Sequence, residues 1–417
     1  MHRLLAVLAI SVLSMNWAGS ACAGTTYRIM RITGDPMMLT VSTSRKSHAP
    51  AASLILRGVR IAMGIRPQIR NLNCDAKQLR QVQVGIWRVP TGCRHLEWEV
   101  KLDPPGLGDA STQRSIGNRG GSFYLFSEAS SLPRLSDASS PETLAIPQEH
   151  GWSIAPPARS DGRIALPRNS QAPMFVVFGK TAATAVTERL RVAYFVDDRR
   201  QIAFTVPIGR VLSGLHWLMQ AFPPSPKRRF TYVWLGLPPG TASLGGATGS
   251  GVLLVNYIMG ESSCHTPAVS AAPLIEAAHQ LGANFGSPPA WVEESLATYL
   301  GVKALQHTEP RDAGATDLMK RMIARAHDCP AGLLEVQRQI ESGNRSNYAA
   351  FFSKGVAFWA AVDNAMRRTG ASPLESKIIE IRMAGYDKSG GPSSNLRNRL
   401  GLSEAEWRDL EHQYLSR

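Results

Sequence analysis

The stretch PLIEAAHQLGANFGSPPAWVEESLATY, residues 273–299, decides the fold of this chain because it predicts two consecutive helices. Pro273 suits the first turn of a helix, where a missing N–H costs nothing, and a helix is predicted over 273–281. The Gly/Pro-rich segment that follows predicts a turn, and a second helix is predicted over 290–306. Positions i and i+4 of a helix lie on one face, so residues 275 and 279 should be neighbours.

Residues 275–279 have the rhythm of a zinc-binding helix with one ligand missing. Two histidines at i and i+4 can hold one zinc ion, and a glutamate after the first can activate bound water as a general base. Here Ile275 stands at the first ligand position, Glu276 at the base and His279 at the second ligand. Because an apolar side chain cannot bind zinc, the candidate metal site is incomplete, with His279 remaining and a glutamate of the second helix as the candidate third ligand.

The two helices together resemble those of the gluzincin aminopeptidases, which pair a His-Glu-x-x-His helix with a Trp-x-x-Glu-Gly-x-Ala-x-Tyr helix. In this chain the second helix reads Trp-Val-Glu-Glu-Ser-Leu-Ala-Thr-Tyr over 291–299. With the β-rich region before it, the chain looks most like the glycyl aminopeptidase family, best over 225–370. The resemblance implies a thermolysin-like α/β domain, a zinc ion held by two histidines and a glutamate, and aminopeptidase activity.

The catalytic motifs of that family are altered in this chain. The resemblance makes Glu276 a vestigial general base and Glu294 the third zinc ligand, but segment 245–249 reads Gly-Gly-Ala-Thr-Gly where Gly-Gly-x-Glu-His is usual. Segment 352–355 reads Phe-Ser-Lys-Gly, so Phe352 stands where a tyrosine would stabilise the oxyanion. The substrate-binding candidates that the resemblance implies are Gly245, Gly246 and Thr248.

The N-terminus predicts export. A short basic start, an apolar run over 4–15 and a small-x-small cleavage site predict a secretory signal peptide over 1–23. No later segment is long and apolar enough to cross a bilayer, so no transmembrane segment is expected in the mature chain. The sequence therefore predicts a periplasmic or extracellular protein.

Four cysteines remain after the predicted cleavage, and an even count in an oxidising compartment indicates two disulfides. The sequence allows three pairings. The local pairs are favoured because each stays within one predicted domain: Cys74–Cys93 and Cys264–Cys329.

The formal net charge of +14 favours anionic partners, such as an envelope surface or acidic ligands. The densest basic region, between Arg57 and Arg80, has no aromatic residues interleaved with its charges. It therefore does not predict a nucleic-acid site.

The chain divides into a β-rich and a helix-rich part. Short apolar runs broken by Gly, Pro, Asn and Asp, such as 82–89, predict an antiparallel β-sandwich domain over 24–207. After residue 207 the pattern predicts both helices and strands, and helices dominate from 273 onward. The predicted fold is α+β: the β-sandwich, then a thermolysin-like α/β domain with a helical C-terminal half over 208–417.

Three functional hypotheses remain open. The leading one is an exported, catalytically degenerate protein with a metallopeptidase-like fold that binds a peptide or protein in the cleft between its domains, with no cofactor. An alternative is an active zinc-dependent aminopeptidase with an altered ligand set, in which His265 or His307 replaces the missing histidine. The third is a structural envelope protein whose basic face binds anionic polymers.

Overall fold

The structure is a computed structural model, and it describes most of the chain after residue 23. The described residues are 24–57, 66–104, 114–118, 120–139, 141–147, 149–166, 174–180, 183–186, 190–195, 208–222, 230–237, 246–249, 252–258, 267–282, 286, 288–308 and 313–416. The predicted signal peptide at 1–23 lies outside them.

Strands fill the first half of the described chain and continue to residue 258. They are β1 (Thr26–Ile32), β2 (Asp35–Ser44), β3 (Ala52–Ile55), β4 (Ile69–Cys74), β5 (Lys77–Gln78), β6 (Gln81–Gln83), β7 (Ile86–Val89), β8 (His95–Lys101), β9 (Ile116–Gly117), β10 (Phe123–Ser127), β11 (Arg134–Leu135), β12 (Thr143–Ala145), β13 (Trp152–Ala155), β14 (Arg163–Ala165), β15 (Phe175–Lys180), β16 (Ala183–Val186), β17 (Leu190–Phe195), β18 (Phe230–Leu237), β19 (Gly246–Gly249) and β20 (Val252–Ile258).

These strands form four sheets within the described residues. The spatial orders are β14-β12-β1-β2-β8-β4-β5 in a seven-stranded sheet, β11-β3-β7-β6 in a first four-stranded sheet, β13-β15-β10-β9 in a second, and β16-β17-β18-β20-β19 in a five-stranded sheet. The pairing is mostly antiparallel, but β1 pairs in parallel with β12, so the seven-stranded sheet is mixed rather than purely antiparallel.

Helices follow from residue 208. They are α2 (Ile208–Ala221), α3 (Pro267–Gly282), α4 (Ala290–Thr308), α5 (Ala313–Ala324), α6 (Leu333–Glu341), α7 (Ala350–Arg368), α8 (Ile378–Arg382), α9 (Ser394–Leu400) and α10 (Glu404–Leu410), after a short α1 (Glu128–Ser131) among the strands. Short 3-10 turns (Arg325–His327 and Leu374–Lys377) and a π turn (Glu411–Leu415) complete this part.

The sheets are joined through strands whose side chains are buried on both faces. In β10, Tyr124 and Phe126 join the core of the seven-stranded and first four-stranded sheets. The alternate residues Phe123 and Leu125 instead pack with Val233 and other residues of the five-stranded sheet. Because successive side chains of a strand point to opposite faces, β10 links two cores. The far face of the five-stranded sheet packs on the helices.

One predicted element is confirmed, and two are corrected. Helix α4 begins at its predicted first residue, 290, and ends two residues after its predicted end at 306. The predicted strand 82–89 is instead a hairpin, because Gly85 adopts a positive φ of 79° between β6 and β7.

The predicted start of the first helix at Pro273 is wrong, because α3 begins at Pro267 and contains Pro273 in its interior. A proline there removes one backbone hydrogen bond of the helix. The carbonyl of Pro273 accepts a hydrogen bond of 2.6 Å from the buried Tyr232 hydroxyl, which fixes this part of the helix against the five-stranded sheet.

One of the two predicted disulfides is present. Cys74 and Cys93 are bonded, with 5.8 Å between their Cα atoms. Cys329 is a free thiol, so the predicted Cys264–Cys329 bridge is not formed, and Cys264 itself lies outside the described residues. The predicted local pairing is therefore confirmed for Cys74 and Cys93. Cys74 ends β4, and Cys93 lies shortly before β8, which pairs with β4.

The five-stranded sheet crosses the predicted domain boundary at 207/208, since β17, which also pairs with β16, pairs with β18 from the other side of it. The division into 24–207 and 208–417 remains a prediction. Among the described residues, no helix is both long and apolar enough to span a bilayer.

Candidate functional site

The candidate site lies where α3 and α4 cross. The crossing is close: a Cβ added to Gly301 of α4 would lie 2.5 Å from Ile275 Cγ1 and 2.6 Å from its backbone nitrogen. Only glycine permits this approach of two helix backbones. Ile275, at the first metal-ligand position, therefore packs against α4 and contributes apolar contact.

One turn further along α3, His279 is held between two adjacent carboxylates of α4. Its Nδ1 lies 3.1 Å from Glu293 Oε1, and its Nε2 lies 3.6 Å from Glu294 Oε2. The side chain of His279 is 15% exposed and those of both glutamates are 27% exposed. Both ring nitrogens of His279 therefore face carboxylates.

A buried arginine fixes the position of Glu293. Arg382 of α8 places its Nη2 2.7 Å from Glu293 Oε2, and the same nitrogen donates to the Gly286 carbonyl at 3.3 Å. Its guanidinium lies against Gly282, where a Cβ would come within 2.8 Å of Arg382 Cζ. Glu293 therefore bridges His279 and Arg382, which ties α3, α4 and α8 together.

These ion pairs set the protonation of the site. Burial alone would lower the pKa of His279, but the hydrogen bond to Glu293 and the charges of Glu294 and Glu276 outweigh it and raise the pKa to about 9. Burial raises the pKa of Glu293, but His279 and Arg382 hold it below its usual value. His279 is therefore an imidazolium at neutral pH in this arrangement.

A tyrosine reaches the same carboxylates from a third direction. Tyr348 lies just before α7, and its hydroxyl hydrogen-bonds to Glu294. Burial, together with the charge of Glu294, raises the pKa of this phenol far above its usual value. Its ring stacks edge-on against Phe352 at 5.5 Å between centroids. The hydroxyl absent at Phe352 is thus present one helical turn earlier, on a different residue.

The other motif positions on α4 and α7 serve packing. Ser295 replaces the glycine usual in the family, and a Cβ added to Gly355 would lie 2.4 Å from Ser295 Cβ. Ser295 Oγ accepts a hydrogen bond of 2.8 Å from Trp359 Nε1. Lys354 is buried and donates to the Ala331 carbonyl at 2.7 Å. These residues hold α4 against α7.

The predicted substrate-binding segment lies on an edge strand. Among the described strands, β19 (Gly246–Gly249) pairs only with β20, at the end of the five-stranded sheet, with Thr248 opposite Leu253. α3 packs across these two strands. Gly245 lies outside the described residues, as does His265.

His307 is too far along α4 to substitute for the missing ligand. It follows Glu294 by thirteen residues, which is about 20 Å along a helix. Its ring lies 5.6 Å from that of Trp217, between centroids, on the side of α2.

The described residues do not fit a three-ligand zinc ion. The one group of three or more His, Cys, Asp or Glu side chains with mutually close ligand atoms in the described ranges is Cys74, Asp75 and Cys93, and its cysteines form the disulfide. At the α3–α4 crossing, Ile275 occupies the first metal-ligand position. His279 is hydrogen-bonded to Glu293 through Nδ1, and its Nε2 faces Glu294. No step of chemistry is therefore assigned to a metal here.

With this geometry in place, comparison with solved structures identifies the fold. An aminopeptidase N family protein from Idiomarina loihiensis superposes with a TM-score of 0.65 at 13% identity, over 94% of this chain and 74% of that one. An M1 zinc metallopeptidase from Deinococcus radiodurans superposes with a TM-score of 0.50 at 17% identity, over 94% and 93%. A mutant two-domain M1 zinc metallopeptidase bound to L-tryptophan gives 0.51 at 17%, over 94% of both chains.

The chain has the fold of the M1 metallopeptidases. This agrees with the predicted gluzincin aminopeptidase fold, whereas the closer likeness to glycyl aminopeptidases remains a prediction. No protein-family model matches the sequence, and no curated protein is significantly similar to it.

In the structure Glu294 lies beside His279, and the charge of Glu276 acts on the same imidazole, but sequence reasoning missed the residues that surround them. Glu293 was overlooked because the motif assigns a role only to the second of the two glutamates. Arg382 and Tyr348 lie far away in sequence and belong to no motif of the resemblance. The one available signal was the Glu-Glu pair itself, since both carboxylates at the start of α4 lie within reach of α3.

Proposed function

We propose that this chain is an exported, non-hydrolytic protein that binds a peptide or protein segment on the fold of an M1 metallopeptidase. The observation that carries this proposal is the state of His279, which is paired with both Glu293 and Glu294 while Ile275 packs against Gly301. A zinc-bound imidazole must be neutral and have a free nitrogen lone pair. The ion-pair cluster stands where a metal centre would otherwise lie.

The proposed ligand is a peptide with a free N-terminus. Glu293 and Glu294 keep about a quarter of their side-chain surface accessible, and a carboxylate is a suitable partner for an ammonium group. The edge strand β19 lies against α3 and could pair with an extended peptide. The L-tryptophan bound by one structural neighbour supports a ligand of the amino-acid class.

Two measurements test the absence of hydrolysis. The purified protein is dialysed against zinc, its metal content is determined, and its turnover of aminoacyl amides is measured with and without chelator. We expect less than stoichiometric zinc and no chelator-sensitive turnover. Stoichiometric zinc that is lost in His279→Ala, together with turnover, would establish the active aminopeptidase instead.

Calorimetry tests binding, using the tripeptide Trp-Ala-Ala and its N-acetylated form as probes. We expect the free peptide to bind and acetylation to weaken binding at least tenfold, which corresponds to about 1.4 kcal/mol. Glu294→Gln should weaken binding similarly, whereas Asp409→Asn, an exposed carboxylate on α10, should not. Equal binding of both peptides, or no effect of Glu294→Gln, would contradict this ligand assignment.

A further inference from the structure

A groove opens in the β-sandwich, away from the α3–α4 crossing. Its volume is about 830 Å³, which lies in the range of ligand sites. Trp87 and Leu72, both buried, form part of its floor, and the exposed side chains of Arg66 and Arg70 line it. The groove therefore combines an apolar floor with two cations.

The groove lies where two sheets end. β5 is the last strand of the seven-stranded sheet and β6 is the last strand of the first four-stranded sheet, as far as the described residues go. Gln78 of β5 and Gln81 of β6 both line the groove. An edge strand presents unpaired N–H and C=O groups, which can pair with an added strand.

Within the described ranges, the cations around the groove form no ion pair, although Glu99 lies opposite Arg70 in the β4–β8 pairing. In the described parts of the chain, no ion pair involves the side chains of Arg66, Arg70, Lys77 or Arg80, all of which are exposed. Elsewhere in the same domain, Arg31, Arg45 and Arg114 pair with carboxylates. The cations of this edge are therefore available to an external anion.

Protection of the edge against aggregation does not account for this arrangement. Edge strands are commonly protected by charged residues or proline on the strand itself. β6 carries neither, and Val82 within it and Val84 next to it are 50% and 51% exposed. An uncharged edge strand with exposed valines, beside a groove lined by a buried tryptophan, is a feature of an interaction site rather than of a protected edge.

We infer that this groove binds an extended acidic segment of a partner protein, with the pattern acidic-x-apolar-x-acidic. Arg66 and Arg70 are four residues apart, which is at most about 13 Å along an extended chain. Alternate side chains of an extended peptide share one face. Two carboxylates at i and i+4 can therefore reach Arg66 and Arg70, while the apolar side chain at i+2 packs on Trp87.

The test uses fluorescence anisotropy with a labelled, N-acetylated peptide containing Glu-Thr-Leu-Thr-Glu. Two exposed groove cations are reversed in Arg66→Glu/Arg70→Glu. The matched control is Arg28→Glu/Lys46→Glu, which makes the same change of charge at exposed residues outside the groove lining. We expect the groove variant to bind at least tenfold more weakly than native protein and the control to stay within about twofold.

The peptide is varied in parallel. Replacing its leucine by glycine, its glutamates by lysines, or methylating every second backbone nitrogen should each weaken binding, because each removes one part of the proposed contact. Val84→Glu provides a second protein variant at an exposed position of the groove lining, should the double reversal fail to fold. It should also weaken binding.

Two outcomes would overturn the inference. One is equal weakening by the groove and control variants, which would make the interaction a general effect of the basic surface. The other is competition by dextran sulfate that is independent of Arg66 and Arg70, together with equal binding of the glycine peptide. That result would favour an anionic polymer bound by charge alone.

Discussion

Helix α4 takes part in two ion-pair networks, one near each end, and they differ in access to solvent. Towards its C-terminal end, Lys303 lies 2.7 Å from Asp363, and Tyr299 donates to the same carboxylate at 2.7 Å. The Asp363 side chain is only 4% exposed, and its other oxygen accepts from the Leu374 backbone at 3.1 Å. Towards the N-terminal end, Glu293 and Glu294 hold His279 and remain 27% exposed.

The difference separates a structural network from a candidate site. Around Asp363, each carboxylate oxygen has a donor and the carboxylate itself is buried, although Arg367, which also pairs with it, is 56% exposed. The network fixes α4 against α7. Around His279, Nε2 and Glu294 are 3.6 Å apart, longer than a hydrogen bond, and the carboxylates can exchange partners with a ligand. The buried charges near the C-terminal end of α4 stabilise the fold, and the accessible charges near its N-terminal end can bind a ligand.

The largest expected effect is on the Asp363 network. Asp363→Ala leaves Lys303 buried with only Glu375 as an anionic partner, and breaking a buried pair typically costs about 3–5 kcal/mol. The free energy of unfolding, measured with urea, should fall by that amount. Asp409→Ala, at an exposed carboxylate of α10, should change it by less than about 0.5 kcal/mol. A similarly small loss in Asp363→Ala would remove the distinction between the two networks.

The second prediction concerns the pH dependence of the His279 cluster. The folded pKa of about 9 is above the unfolded value of 6.5, so the contribution of His279 is complete below pH 6.5. It is lost as the pH rises from 6.5 through 9, and its size is on the order of 3 kcal/mol. The difference in unfolding free energy between native protein and His279→Gln should therefore be largest below pH 6.5, shrink as the pH rises from 6.5 to 9, and be nearly absent above pH 9.

Other groups also titrate in alkaline solution, so the comparison needs a reference. His412, an exposed histidine in the last turn of the chain, provides it, because His412→Gln should leave the pH profile unchanged. A His279→Gln profile that runs parallel to the native one across this range would mean that the imidazole is neutral in the folded protein. The cluster would then be open to a metal.

Local sequence signals predicted the elements of the site but not their relative rotation. The Gly/Pro turn and the apolar periodicity placed α4 correctly, since both act over a few residues. They could not show that Ile275 faces Gly301, because that depends on how far α3 extends before Pro273 and on the crossing of two helices. Tyr348 was missed for the same reason: it reaches Glu294 only through the docking of α7.

The smallest expected effect is a gain of zinc affinity in Ile275→His. The substitution places an imidazole one turn from His279, beside Glu294, and so restores the three-ligand set of a zinc site. The gain is limited by two opposing costs. Zinc must displace His279 from Glu293 and Glu294, and the new side chain must fit against Gly301, where Ile275 now packs closely. We therefore expect about a tenfold tighter zinc affinity, equivalent to about 1.4 kcal/mol, with some loss of stability.

Calorimetric zinc titration of three variants decides this prediction. Ile275→His should bind more tightly than native protein, and His279→Ala in that background should abolish the gain, since only the pair at i and i+4 can share one ion. Ala268→His, which adds an imidazole to the first turn of α3, should give no gain, because it lies eleven residues from His279, about 16 Å along the helix. If Ile275→His and Ala268→His gain equally, the added imidazole binds zinc without the site. If the folded Ile275→His protein gains nothing, the prediction is wrong. The ion pairs of His279 with Glu293 and Glu294 are then more stable than zinc binding to the restored ligand set.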